Sequence, residues 1–204
     1  MQKSGFFVLL AMSAIGCGGG GHYLMWNGTP AAAAANGKVA ISVDDKREEK
    51  KGGAHQDVVG LQTGSFGIPQ AIRLRPNDGV SLSIRELVAQ AAAAAGMGVV
   101  APGQEGTASG KIVVEVQTLW CTGYSPAYKA DVTASVMVVD PVTNAVRVAA
   151  QPLTASGGGM VCQSIYRKLL SDIYQQAVTM FSQPALKQAA LGIPTGGGAP
   201  SGQQ

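Results

Sequence analysis

The sequence predicts an α+β fold, a two-layer sandwich in which a mainly antiparallel sheet carries two helices on one face. Residues 128–140 alternate between small apolar residues and polar residues, which is typical of a strand with one covered face. Two further strands are expected at 111–121 and 145–153, on either side of it. Helices over 83–96 and 162–181 each show an apolar stripe that would cover this sheet.

Length and composition indicate one domain with simple ends. The chain has 204 residues, of which 13% are charged and 5% aromatic, with 28 Gly and 10 Pro. We expect a single α+β domain over 38–191 and a disordered Gly/Pro tail over 192–204. The net charge of +3 comes without a free-standing Lys/Arg cluster, so nucleic acid is not an expected partner.

The first 16 residues have the pattern of an export signal. Lys3 supplies a positive start, and the apolar run 6–12 is too short to span a bilayer. The sequence Ala-Ile-Gly-Cys at 14–17 resembles the lipobox of bacterial lipoproteins, in which the cysteine, here Cys17, is acylated. The alternative is an ordinary secretory signal with an incidental cysteine. Gly18 in place of Asp favours the outer membrane, and residues 17–37 are predicted to be a lipidated flexible tether.

The region before the first helix is predicted to be mostly loop. Residues 38–45 alternate as a half-buried strand, and Asp45 is expected to pair with Arg47 or Lys46 at its exit. Short strands at 58–62 and 70–74 would form a hairpin around the glycines near Phe66.

Sequence signals also suggest where the helices begin and end. Ser83 and Glu86 have the spacing of a capping box, with Leu82 and Leu87 as its hydrophobic staple, and Gly96 is expected to close the first helix. The segment 156–159 is expected to be a turn before the second helix. Pro184 should end that helix, with a further helical turn over 185–191.

Two cysteines remain if Cys17 is acylated. In an oxidising periplasm Cys121 and Cys162 are expected to form a disulfide, with two separate buried thiols as the alternative. Strict alternation places Trp120 on the covered face with Ile112, and Cys121 on the opposite face. The disulfide therefore requires the strand to end or bulge near Leu119.

Catalytic patterns are missing from the sequence. The stretch 103–111 has Glu105 where a phosphate-binding loop needs glycine, and it leads into a strand. Neither His22 nor His55 has an acidic partner by pattern, and adjacent Asp44 and Asp45 would point to opposite faces of a strand. We therefore predict no catalytic residue, metal or cofactor, and a protein that is not an enzyme.

Several short elements resemble the YajG-type lipoprotein family. They are the strand ending in Asp45-Lys46-Arg47, the glycine-containing segment 59–69, and the helix over 81–96. The resemblance covers roughly residues 38–183 and implies a lipoprotein without established catalytic residues. The element order is also similar to two-layer auxiliary lipoproteins of envelope transport and lipopolysaccharide assembly.

Two functions remain open from the sequence. The first is an outer-membrane-anchored, non-enzymatic module that binds an envelope protein, with the oligomeric state left open. Its partner surface is predicted at Lys129, Asp131, Thr133 and Ser135, or at Phe66. The alternative is an auxiliary lipoprotein that binds lipid or a component of transport or lipopolysaccharide assembly. That alternative needs an apolar pocket between helix and sheet, which we place near Trp120, Met137 and Phe181.

Overall fold

The computed structural model describes residues 22–24, 37–48, 57–63, 67–74, 79–124 and 126–193. The predicted export signal, Cys17, most of the predicted tether, His55, Phe66 and the tail beyond 193 lie outside these residues. The elements, in chain order, are β1 His22–Leu24, β2 Lys38–Asp45, β3 Val58–Thr63, β4 Pro69–Leu74, α1 Gly79–Ala94, β5 Gly98–Val99, β6 Gly110–Tyr124, β7 Ala127–Val139, β8 Val146–Gly159, α2 Cys162–Phe181 and α3 Pro184–Ala190.

The fold is α+β, but its sheet is mixed where a mainly antiparallel one was expected. Strand β6 is central, and β7 pairs with it in antiparallel fashion along nearly its whole length. On the other edge of β6, β2 and then β3 pair in parallel, one after the other. Parallel neighbours need a long crossover connection, and the connection from β2 to β6 contains α1.

Both long helices cover the same face of this sheet. α1 packs against β2, α2 packs against β7 and β8, and the two helices contact each other. A third helix, α3, contacts β6, β7 and β8. The predicted fold had two helices on the sheet, and the helical turn expected over 185–191 is this third helix. The predicted inward residues of β7 are buried beneath them, namely Ala130, Val132, Ala134, Val136 and Val138.

The hairpin predicted before α1 is present, and β1 adds a strand to it. β3 and β4 pair in antiparallel fashion, with Leu61 opposite Ala71. β1 pairs in parallel with β4, with His22 opposite Ile72. Three residues of the predicted tether therefore form the outermost strand on this side of the sheet.

Helix α1 begins earlier than its sequence signals suggest. Its first residue is Gly79, so Ser83 lies inside the helix and the predicted capping box is wrong. The predicted staple is also wrong, because Leu87 is buried and Leu82 is exposed. The other end is as predicted: Gly96 has φ +81°, and the Met97 N–H donates to the Ala92 carbonyl at 2.9 Å.

Strand β8 is longer than predicted, because residues 156–159 extend it and do not form a turn. They pair with residues 128–131 of β7. The glycines allow α2 to lie close to the strand: a Cβ on Gly157 would be 3.3 Å from Leu169, and one on Gly159 would be 3.2 Å from Ile165. The glycines at 157–159, which were predicted to form a turn, are therefore the part of β8 against which α2 packs. In the described part of the chain no helix has both the length and the apolar character needed to cross a bilayer.

Candidate functional site

A bulge in β6 determines which side chains reach each face of the sheet. The pairing register with β7 shifts between Val116 and Thr118. After this shift Trp120 lies opposite Asp131 of β7, and directly paired residues project to the same face. Because Asp131 is exposed, Trp120 faces away from the helices, and its predicted inward position is wrong. The extra residue at Gln117 reverses the alternation, which simple periodicity cannot detect.

The four polar residues predicted as a partner surface share one face of β7. They are Lys129, Asp131, Thr133 and Ser135, and together with Trp120 we call them the open face. No helix in the described part of the chain packs on this side. Trp120 is the one member that the sequence analysis assigned elsewhere. Phe66, the other predicted surface residue, lies outside the described residues.

The polar residues of the open face differ in their exposure to solvent. Lys129 and Asp131 are exposed, whereas Thr133 and Ser135 are partly covered by their neighbours. With its amide nitrogen toward the Thr133 carbonyl at 3.2 Å, Gln117 accepts a hydrogen bond from Ser135 Oγ at 3.0 Å. The hydroxyl of Ser135 is therefore already hydrogen-bonded to Gln117. The groups free to meet a partner are concentrated around Trp120, Lys129 and Asp131.

A buried ion pair lies where β2 gives way to β3 along the edge of β6. The side chains of Arg47 and Asp45 are 0% and 6% exposed, and Arg47 Nη2 lies 2.8 Å from Asp45 Oδ2. Arg47 Nη1 also donates to the Val58 carbonyl at 2.8 Å. Of the two cations expected near Asp45, Arg47 is the one that pairs with it. The pair is structural, since it holds two strands of the sheet together and lies away from the open face.

The disulfide lies close to this pair, beneath the start of α2. Cys121 and Cys162 are bonded, with their Cα atoms 6.1 Å apart. The bulge before Leu119 turns Cys121 toward α2, as the pairing required. Beside it the Tyr166 hydroxyl donates to the Val59 carbonyl, and burial raises the pKa of Tyr166 well above its ordinary value. Strand β6 and helix α2 are therefore joined both covalently and through β3.

The pocket predicted near Trp120, Met137 and Phe181 is not formed. Phe181, the last residue of α2, is fully buried, whereas Trp120 and Met137 belong to the opposite side of the sheet. The described residues instead leave two open grooves beside α3, of about 500 and 580 Å³. Arg147 and Leu186 line the first groove, and Lys187 and Leu191 line the second.

The open face carries no feature of a metal centre. Across the described ranges, no three His, Cys, Asp or Glu side chains lie together in a way that could hold a metal ion. What the geometry defines is an α+β domain with one face covered by helices and one face that presents a tryptophan among charged and hydroxyl groups.

Comparison with known proteins gives weak structural similarities. No family model matches the sequence, and no curated protein matches it significantly. A Xanthomonas campestris protein of family DUF330 is 8% identical, with a TM-score of 0.47, over 80% of this chain and 90% of that one. PelC from Paraburkholderia phytofirmans, solved as a dodecamer, is 15% identical, with a TM-score of 0.45, over 76% and 93% of the chains. The minor lipoprotein of Acinetobacter baumannii is 12% identical, with a TM-score of 0.38, over 71% and 91%.

All three TM-scores are below 0.5, so these similarities do not indicate a family or a function. The resemblance to the YajG-type family therefore remains a prediction from the sequence.

Proposed function

We propose that this chain is a lipid-anchored protein of the bacterial envelope, and that it is a binding module and not an enzyme. Acylated Cys17 would hold the domain at the periplasmic face of the outer membrane. The open face would then dock an envelope protein. The observation that carries this proposal is the position of Trp120, which the β6 bulge turns to the open face directly opposite Asp131.

The anchor is supported by the order of features in the first 17 residues. A lysine, a short apolar run and small residues lead directly to Cys17, and Gly18 follows. Acylation needs a thiol at the membrane surface with small neighbours beside it, and this sequence provides both. Several acyl chains anchor a protein stably, because each buried methylene contributes about 0.8 kcal/mol.

The docking face is supported by its chemistry. Tryptophan is enriched in the energetically dominant centres of protein interfaces, where a polar surround excludes water. Here the surround comprises the Lys129 ammonium, the Asp131 carboxylate and the Thr133 hydroxyl. A partner with an apolar cleft rimmed by charges of both signs would fit this face.

The anchor is tested by mass spectrometry of the protein purified from bacterial membranes. A mature chain that begins at Cys17 and carries acyl chains is the expected result. Cys17→Ser should release the protein from the membrane fraction, and density-gradient fractionation should place the wild type with the outer membrane. A mature chain that begins elsewhere and carries no lipid would refute the anchor.

The docking face is tested by site-specific photocrosslinking in cells. A photoreactive residue at 129 or 131 should capture one defined envelope protein, and Trp120→Ala should abolish the capture. The matched control is position 172, because Asp172 is exposed on α2 at the helix-covered side. Equal capture from position 172, or capture that Trp120→Ala leaves unchanged, would refute the placement.

A further inference from the structure

Five strand ends meet at one end of the sheet, as the registers show. Thr63, the last residue of β3, lies opposite both Tyr124 of β6 and Pro69 of β4. Tyr124 in turn lies opposite Ala127, the first residue of β7. Gly159, the last residue of β8, lies opposite Tyr128, the second residue of β7.

This end of the sheet presents large apolar side chains to solvent. Ile68 is 64% exposed, Tyr124 70% and Met160 72%, and Val161 beside Met160 is 44% exposed. Ile68 immediately precedes β4, and Met160 immediately follows β8, so the four residues extend across the width of the sheet. We call these four residues the apolar end.

The path of the N-terminal chain brings Cys17 to the same end. His22 lies opposite Ile72, three residues into β4 from Pro69, and β1 runs parallel to β4. At about 3.3 Å per residue, His22 is therefore about 10 Å from the apolar end. Cys17 precedes His22 by five residues, which span at most about 18 Å when fully extended. Cys17 can therefore lie at most about 8 Å beyond the apolar end, measured along the strand direction.

The opposite end of the sheet also exposes apolar residues, but it is out of reach of the anchor. Val142 and Val146 are exposed there, at the connection between β7 and β8. Strand β7 has 13 residues. At about 3.3 Å per residue the two ends are about 40 Å apart, so His22 is about 30 Å from the opposite end. This distance exceeds the roughly 18 Å that separates Cys17 from His22 at full extension.

Charge around the apolar end suits an anionic lipid surface. The segments 63–69, 122–129 and 157–168 contain no Asp or Glu. Three exposed cations lie in or beside them, namely Lys129, Arg167 and Lys168. Basic side chains near a membrane surface are each attracted by about 1 kcal/mol when anionic lipids are present.

We propose that the apolar end rests on the lipid bilayer, with Tyr124 and Met160 in the headgroup region. This inference rests on the proposed acylation of Cys17, which holds that end of the sheet against the membrane through β1. Tyrosine is suited to this position because its ring is apolar and its hydroxyl remains hydrated. The domain would then stand with its strands directed away from the bilayer, and the open face would project sideways into the periplasm.

The orientation is tested with full-length protein reconstituted in vesicles of phosphatidylethanolamine and phosphatidylglycerol. An environment-sensitive fluorescent amino acid is placed at 124 or 160, and at 142 as the control at the opposite end. Brominated phospholipids should quench the probe at 124 and 160 and leave the probe at 142 unquenched. All three positions are exposed, so the probes do not disturb the core.

The outcomes separate this inference from the proposal on which it rests. If mass spectrometry finds acylated Cys17 but the probes at 124 and 160 are no more quenched than the probe at 142, the orientation is overturned and the anchor stands. If Cys17 carries no lipid and the protein does not bind vesicles, both fail. In the double variant Tyr124→Asp/Met160→Asp, carrying the probe at 161, quenching should be lost. The matched double variant Val142→Asp/Val146→Asp should retain it.

Discussion

Asp45 and Arg47, two residues apart in the chain, are joined by a pair of parallel hydrogen bonds. Arg47 Nε donates to Asp45 Oδ1 and Arg47 Nη2 donates to Asp45 Oδ2, each at 2.8 Å. The guanidinium also reaches the Val58 carbonyl at the start of β3. The bidentate pair therefore links the end of β2 to the start of β3, where both strands lie against β6.

We expect Arg47→Met to destabilise the fold strongly. The substitution removes the charge partner of a nearly buried carboxylate and leaves the Val58 carbonyl without its donor. Breaking a buried ion pair on one side costs about 3–5 kcal/mol. The free energy of unfolding, measured by urea denaturation with circular dichroism, should fall by that amount.

The double variant Asp45→Leu/Arg47→Met is the control for this prediction. It removes both charges together, so no carboxylate is left unpaired, and we expect it to regain part of the stability that Arg47→Met loses. A double variant that is less stable than Arg47→Met by the full cost of Asp45→Leu would show that the two side chains act independently.

Periodicity predicted the elements that are regular along their whole length. The alternation around Lys129 and Asp131 predicted β7 and its open face, and the apolar stripe that contains Ile165 and Leu169 predicted α2. In both segments the position of a residue in the repeat is enough to predict whether its side chain is buried, because the repeat is uninterrupted from end to end. The class of fold and most of the candidate surface follow from these two segments.

Features that depend on distant contacts could not be predicted in this way. The parallel pairing of β2 with β6 depends on the crossover through α1. The sequence of β2 itself does not show whether its neighbour is parallel or antiparallel. Gln117 adds one residue to β6, which reverses the alternation and turns Trp120 to the open face. Gly157 resembles a turn residue until the closeness of Leu169 explains it. Each of these depends on a partner element that is distant along the chain.

Gly110→Ala should destabilise the protein through a direct clash with α3. A Cβ at Gly110 would lie 2.1 Å from the Ala190 carbonyl oxygen, which is backbone and cannot rotate away. Overpacking of this kind costs about 1–3 kcal/mol or more. Gly106→Ala is the matched control, because a Cβ there meets no atom within 4 Å. Equal urea midpoints for the two variants would show that α3 shifts without cost.

Loss of the disulfide should weaken the fold without changing it. Cys121 and Cys162 are 41 residues apart in the chain. For a loop of that length the chain-entropy model gives a loss of about 4 kcal/mol. We expect the double variant Cys121→Ala/Cys162→Ala to unfold at lower urea concentration than the oxidised wild type. Dithiothreitol should lower the wild-type midpoint and leave that of the variant unchanged, and a midpoint insensitive to the reductant in both proteins would contradict the stabilising role.

Stability in acid should depend on Asp140 at the turn after β7. Its carboxylate accepts hydrogen bonds from the backbone N–H of Thr143 at 2.8 Å and of Val142 at 3.0 Å, and from Arg147 Nη2 at 2.5 Å. In that order, these donors hold the pKa of Asp140 well below its ordinary value. A lowered pKa in the folded state means that the carboxylate stabilises the fold above about pH 4, the unfolded pKa.

That contribution should be lost as the pH falls from about 4 through the lowered pKa of the folded state. We therefore expect Asp140→Asn, which keeps the size of the side chain but not its charge, to have a lower Tm than the wild type at neutral pH. The difference in Tm should shrink as the pH is lowered below about 4, because the unfolded wild type then binds a proton at Asp140 while the folded state does not. In stronger acid the folded carboxylate becomes neutral as well. Thermal unfolding of both proteins across this range gives the answer, and a difference in Tm that stays constant into strong acid would show that the charge of Asp140 does not stabilise the turn.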